Sequence, residues 1–183
     1  GRMRRIMTLM GALILLRAMA VSAPWVFAPL LLKEEGSSGF AAGAAATLFL
    51  AAGMVGTLAA GWLSDRVGRR TVLISGVITG PVGVLLFVAL HGWPRYIFLA
   101  VAGATLVSLH PVYMALVQES FPESRGLANA VYLSMVFVIS SAAAVAVGAL
   151  GDALILRWAF VVGALVTLLS LPLLLLLPRK GEP

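Results

Sequence analysis

Cysteine is absent from the 183 residues, and acids are scarce: seven Asp and Glu stand against thirteen Lys and Arg. Without cysteine there is no disulfide framework, no thiolate metal site and no cysteine nucleophile. The two histidines, His91 and His110, are too far apart for a paired metal-binding motif, and no Gly-Lys-Ser/Thr phosphate loop occurs. No metal and no cofactor are therefore expected. Charge of either sign is also sparse, at 11% against 61% hydrophobic residues, with a mean hydropathy of +1.06. Soluble domains are about half apolar and about a quarter charged, so that class is excluded. The net charge of +6 forms no basic stripe and no aromatic-basic module, which argues against nucleic acid as a partner. No basic start, short apolar run and small-residue cleavage site precede a polar domain, so no removable signal peptide is expected.

What remains is a set of long apolar runs bounded by short charged clusters. The runs cover residues 6–32, 40–62, 71–90, 96–117, 126–150 and 154–177. Each has roughly the 20 residues needed to cross about 30 Å of hydrocarbon. They do not alternate as β-barrel strands do, and helices satisfy their own backbone groups in lipid. An all-α membrane protein of six transmembrane helices is expected, with residues 1–183 forming a single unit. Six spans return the chain to its starting side. Arg2, Arg4, Arg5, Arg66, Arg69, Arg70, Arg125, Arg179 and Lys180 fall on that side, against Lys33, Arg95 and Arg157 on the other. This bias places both termini in the cytoplasm, as in a protein of the cytoplasmic (inner) membrane. Gly53, Gly56, Gly61, Gly76, Gly80 and Gly83 mark close helix packing. Pro24, Pro29 and Gly80-Pro81 mark kinks.

Three features inside the spans bear on chemistry. Arg17 lies near the middle of the first span on a face with Met10, Leu13, Val21, Pro24 and Ala28. A charge there costs about 2.5 kcal/mol or more, so it needs a partner or a watery cavity. Capping the carbonyls of a kinked neighbour and anchoring an anionic or polar substrate both fit. His110, followed by Pro111, lies in the fourth span on a face with Gly103, Leu106, Met114 and Val117. It is either a hydrogen-bonded packing residue or a proton relay. Tyr113 and Trp25 are candidate cavity walls. The third feature is that no acid lies within a span. Proton coupling would then fall to His110, to Glu119 at the end of the fourth span, or to another polypeptide. The segment Gly36-Ser37-Ser38-Gly39 superficially matches an intramembrane serine protease motif, but a Gly/Ser loop is ordinary turn chemistry and no enzyme is expected.

The densest charged cluster is Gly61-Trp62-Leu63-Ser64-Asp65-Arg66-Val67-Gly68-Arg69-Arg70. It reads as a short, tightly turned, water-facing connection between the second and third spans. The pattern Gly-x-Leu-x-Asp-Arg-x-Gly-Arg-Arg at this place resembles the signature loop of the major facilitator superfamily. Gly61, Leu63, Asp65, Arg66, Gly68, Arg69 and Arg70 each fall on a signature position. The order of Arg17, Pro29-Leu30-Leu31-Leu32, Leu48-Phe49-Leu50 and the loop looks most like the C-terminal half of the fosmidomycin-resistance-type drug exporters.

The resemblance implies one six-helix half, a 3+3 inverted repeat, of a twelve-helix carrier that works by alternating access. Its first and fourth helices would line a central cavity, its second and fifth would meet the partner half, and its third and sixth would face lipid. The signature loop would latch one state, with Asp65 meeting the N-terminus of the other half's fifth helix. The implied partners are a small drug-like or anionic substrate, the bilayer and a second six-helix half. That half would lie in the same protein, in a separate chain or in a second copy. A membrane interaction or assembly subunit that transports nothing, or an inactive fragment, is the alternative.

Overall fold

In the computed structural model, residues 2–175 are described; Arg179, Lys180, Glu182 and the end of the sixth span lie outside the described residues, as do the side chains of Arg2, Arg4 and Arg5. Among the described residues, six helices are long and apolar enough to cross a membrane: α1 Ile6–Glu34, α2 Gly39–Val67, α3 Arg69–Ala89, α4 Pro94–Ser120, α5 Arg125–Ala153 and α6 Leu156–Leu174. No strand occurs among the described residues.

Two of the helices are irregular where proline intervenes. In α1 a π-helical stretch, Ala23–Phe27, contains Pro24, and regular helix resumes just before Pro29. In α4 the helix is interrupted after Leu106 and restarts at Leu109, just before Pro111. Pro81, by contrast, lies inside a continuous α3. Helix α1 stops at a turn with Gly36 at φ +84°, whose N–H bonds to the Lys33 carbonyl while that of Ser37 bonds to Leu32. This is the paired-bond helix stop that favours glycine. Ser38 then caps α2 by accepting from the Ala41 N–H at 3.2 Å. The Gly-Ser segment is thus a helix stop followed by a helix start.

The helices interlock as two triplets. The first helix of each packs against the second and third of the other: α4 on α2 and α3, α1 on α5 and α6. Glycines bring α4 close. A Cβ at Gly56 would fall 2.0 Å from the Ala104 carbonyl oxygen, and one at Gly103 would fall 2.1 Å from that of Phe49. Neither obstacle is a movable side chain. Gly76 and Gly80 of α3 similarly receive Leu109 and Leu106. Gly103→Leu is accordingly expected to push α4 off α2. Overpacking costs about 1–3 kcal/mol when neighbours adjust, and a backbone contact adjusts less. Loss of the monodisperse peak in detergent would show this; a wild-type elution profile and melting temperature would contradict it.

The end opposite the signature segment is tied by arginines. Arg95, at the start of α4, is buried, pairs with Glu35, stacks on Phe87 and donates from Nε to the Phe87 carbonyl at 3.2 Å. Arg157 of α6 donates to the Val88 carbonyl. The last carbonyls of α3 lack helical donors and carry the negative end of the helix dipole, so cations are favoured there. Arg95→Met would strand the Glu35 carboxylate and the Phe87 carbonyl. A loss of about 2 kcal/mol is expected for such charge-assisted bonds, seen as a lower midpoint in thermal or denaturant unfolding. An unchanged midpoint would reduce this cluster to decoration.

Candidate functional site

Two places gather the polar residues, one at mid-membrane and one at the signature segment. The first begins with the break in α4. Pro111 has no N–H for the Val107 carbonyl, and the His110 N–H turns to Val107 at 3.2 Å. In a regular helix that N–H would serve Leu106. The Leu106 carbonyl accepts instead from Arg17 Nη1 at 2.5 Å. Arg17 is 6% exposed, and its guanidinium carbon lies 5.5 Å from the centre of the Tyr113 ring. Of the α1 face predicted around it, Met10, Leu13, Pro24 and Ala28 are buried with it and Val21 is half-buried.

Helix α5 supplies a residue that sequence reasoning missed. The buried Tyr132 stacks on His110 with ring centres 5.4 Å apart. Its hydroxyl lies 3.1 Å from His110 Nδ1 and donates to the His110 carbonyl at 3.2 Å. One phenol proton cannot serve both. Both contacts are satisfied if the hydroxyl serves the carbonyl and Nδ1–H donates to the phenol oxygen, which leaves Nε2 an acceptor. Three buried polar atoms have no hydrogen-bond partner: Arg17 Nε, the Tyr113 hydroxyl oxygen and, three residues before Tyr132 on α5, Asn129 Oδ1. Buried polar atoms normally find partners, so these groups have binding capacity in reserve. Trp25 does not join this cluster. It lies eight residues beyond Arg17 in α1, about 12 Å along a helix, with its side chain exposed.

An open apolar groove of about 900 Å³ lies elsewhere, along the first half of α2, lined by Gly39, Phe40, Gly43, Ala44, Thr47 and Tyr96. It carries no charged side chain. Tyr96 precedes Leu106 by ten residues, about 15 Å of helix, so this groove is separate from the Arg17 cluster.

The signature segment departs from the ten-residue connection expected. Helix α2 runs through Gly61–Val67, only Gly68 is non-helical, and α3 starts at Arg69. Gly68 has φ +92°, which a side chain would resist. The physical reason is spacing: at i,i+4 Arg66 stacks on Trp62, 3.8 Å from its ring centre, so the charges decorate a helix end. The Asp65 side chain is 74% exposed and 3.9 Å from Arg69, whose stronger contact is Glu119 at 2.8 Å. Glu119 therefore joins the end of α4 to the start of α3. Leu63 is exposed and Gly61 faces open space, while Arg70 continues α3 half-buried.

The family model described as Major Facilitator Superfamily matches residues 10–183. The chain belongs to that superfamily. Six apolar helices and this membership make it an integral membrane protein with one half of the superfamily fold. Among curated relatives, the uncharacterized MFS-type transporter YfnC of Bacillus subtilis (strain 168) is 33% identical over 107 residues, covering 58% of this chain and 26% of the relative. The uncharacterized MFS-type transporter YcaD of Shigella flexneri serotype 5b (strain 8401) is 28% identical over 138 residues, covering 74% of this chain and 36% of the relative. The chain thus spans about a quarter to a third of the curated relatives it matches.

Proposed function

We propose that this six-helix unit forms one wall of an alternating-access carrier that exports a small anionic or drug-like compound from the cytoplasm. The observation that carries the reading is Arg17: a buried guanidinium at mid-membrane with no carboxylate partner among the described residues. A neutral carbonyl and an aromatic face attend it. A charge so placed is costly, and an anion would compensate it. Tyr113 and His110 beside it would supply an additional hydroxyl and imidazole, and His110 would be the titrating group if transport is proton-coupled. Glu119, held by Arg69, is the lesser choice for that role. The order of segments around Arg17 and the signature loop further supports the fosmidomycin-resistance-type subfamily.

A second half fits the exposed surfaces. Helix α5 buries only Ala128, Tyr132, Ala143 and Val147 among its positions, and α2 turns Met54, Val55, Leu58 and Trp62 outward. A covalent half, a separate chain or a second copy would cover them. In a self-pair, Asp65 would reach α5 of the other copy near Arg125. An assembly subunit that moves nothing would need no anion at Arg17. Inside-out vesicles bearing the carrier separate the readings: accumulation of a small phosphonate should exceed that in empty vesicles and fall at least tenfold with Arg17→Ala. Equal accumulation by Arg17→Ala and wild type, with equal affinity, would end the proposal for Arg17.

A further inference from the structure

We infer that the Arg17–Leu106 contact is a clasp on a hinge in α4, opened when an anion draws the guanidinium away. The inference rests on the anion reading of Arg17 given above and adds to it a coupling between binding and helix bending. Two carbonyls compete at the break. Val107 has lost its donor to Pro111, and the His110 N–H that would have served Leu106 bonds to Val107 instead. One N–H cannot hold both, so the helix needs an outside donor, and Arg17 Nη1 is that donor. The break lies between the halves of α4, Pro94–Leu106 and Leu109–Ser120. Leu106 and Leu109 on its two sides are seated on Gly80 and Gly76 of α3, so a change of bend there has packed surfaces to act against.

The clasp is not saturated. Arg17 Nε is buried without a partner, and so is the hydroxyl of Tyr113, whose ring faces the guanidinium. A guanidinium moves as one planar unit, and an anion adds a full charge and bidentate geometry that a neutral carbonyl cannot offer. An anion engaging the Nε edge therefore pulls Nη1 from Leu106. The Leu106 and Val107 carbonyls are then left with a single N–H between them, and the break is free to bend. Arg17 acts on α4 as a positioning residue while its other edge meets the ligand.

Amide hydrogen exchange across residues 106–113, measured by mass spectrometry on the full chain in nanodiscs, tests this. Arg17→Gln should speed exchange there about tenfold, and Arg17→Lys should restore most of the protection. Pro111→Ala supplies the missing N–H, so in that background Arg17→Gln should change nothing. Methylphosphonate and benzoate, with binding followed by equilibrium dialysis, should speed wild-type exchange as Arg17→Gln does and leave the Pro111→Ala protein unaffected. No effect of Arg17→Gln, or an effect that persists undiminished with Pro111→Ala, overturns the clasp. Bound probe with unchanged exchange overturns its release. If neither probe binds, the anion reading fails and the release step with it; an Arg17→Gln effect in that case identifies a purely structural contact.

Discussion

Asp65→Asn should cut transport by the complete carrier at least tenfold while leaving the six helices folded. The two halves of that expectation have separate grounds. Within the chain the carboxylate is 74% exposed and sits 3.9 Å from Arg69, beyond a good hydrogen bond, while Arg69 has a closer partner in Glu119 at 2.8 Å. Exposed pairs of this kind contribute about 0–1 kcal/mol, so folding should barely register the change. Across an interface the same carboxylate would meet a helix N-terminus, where it is favoured by about 0.3–1 kcal/mol, or about 2 kcal/mol when partly buried. At 1.4 kcal/mol per tenfold, the upper figure shifts a two-state equilibrium by more than tenfold. Elution, helicity and rates of substrate flux check it, and normal flux with Asn at this position would contradict a latch role.

Arg17→Met should abolish anion binding yet leave the fold as stable as before. The two stability effects oppose each other and are similar in size. Losing the Nη1 donor leaves the Leu106 carbonyl unsatisfied, at about 1–3 kcal/mol. Removing an uncompensated charge from mid-membrane recovers about 2.5 kcal/mol or more. Methionine also keeps most of the volume packed against Tyr113. Thermal midpoints within a few degrees of wild type, together with a loss of methylphosphonate affinity of at least tenfold, are expected. A collapse in folded yield with affinity retained in the surviving fraction would mean that Arg17 is structural.

Much of the architecture was legible because lipid imposes it. Spans must be long, apolar and helical, and these constraints show in composition without knowledge of contacts. The packing roles of Gly53, Gly56, Gly76, Gly80 and Gly83 followed for the same reason, and each meets a neighbouring helix closely; Gly61, read the same way, does not, since nothing lies within 4 Å of a Cβ there. Helix ends were harder to read. Charge at Asp65 and Arg66 suggested a loop, but α2 carries them to Val67, since a helix leaving the membrane keeps its hydrogen bonds while its side chains reach water. Proline positions pointed to irregularity without its form: Pro24 sits in a π-helical stretch, while Pro81 leaves α3 continuous.

The mid-membrane cluster was half legible. A lone arginine stands out in an apolar span, and His110-Pro111 announces a weakened ladder. Which carbonyl Arg17 would reach depends on how α1 crosses α4, and no local pattern encodes a crossing. Tyr132 was invisible for a related reason. One tyrosine in α5 carries no signal until the bundle stacks it on His110. The pairing of Arg69 with Glu119 joins residues fifty positions apart; each was noticed separately, for a different role.

The central claim is that the outward faces of α2 and α5 are covered by a second six-helix half. Photo-crosslinking in native membranes tests it most directly, with benzoylphenylalanine at Leu58 of α2 or Phe137 of α5, which are 79% and 71% exposed. Ile78 of α3, exposed elsewhere on the bundle, is the control. Positions 58 and 137 should capture peptides from another six-helix segment, whether of the same polypeptide, a separate chain or a second copy, while position 78 yields lipid adducts. Lipid adducts alone at all three positions would contradict the claim.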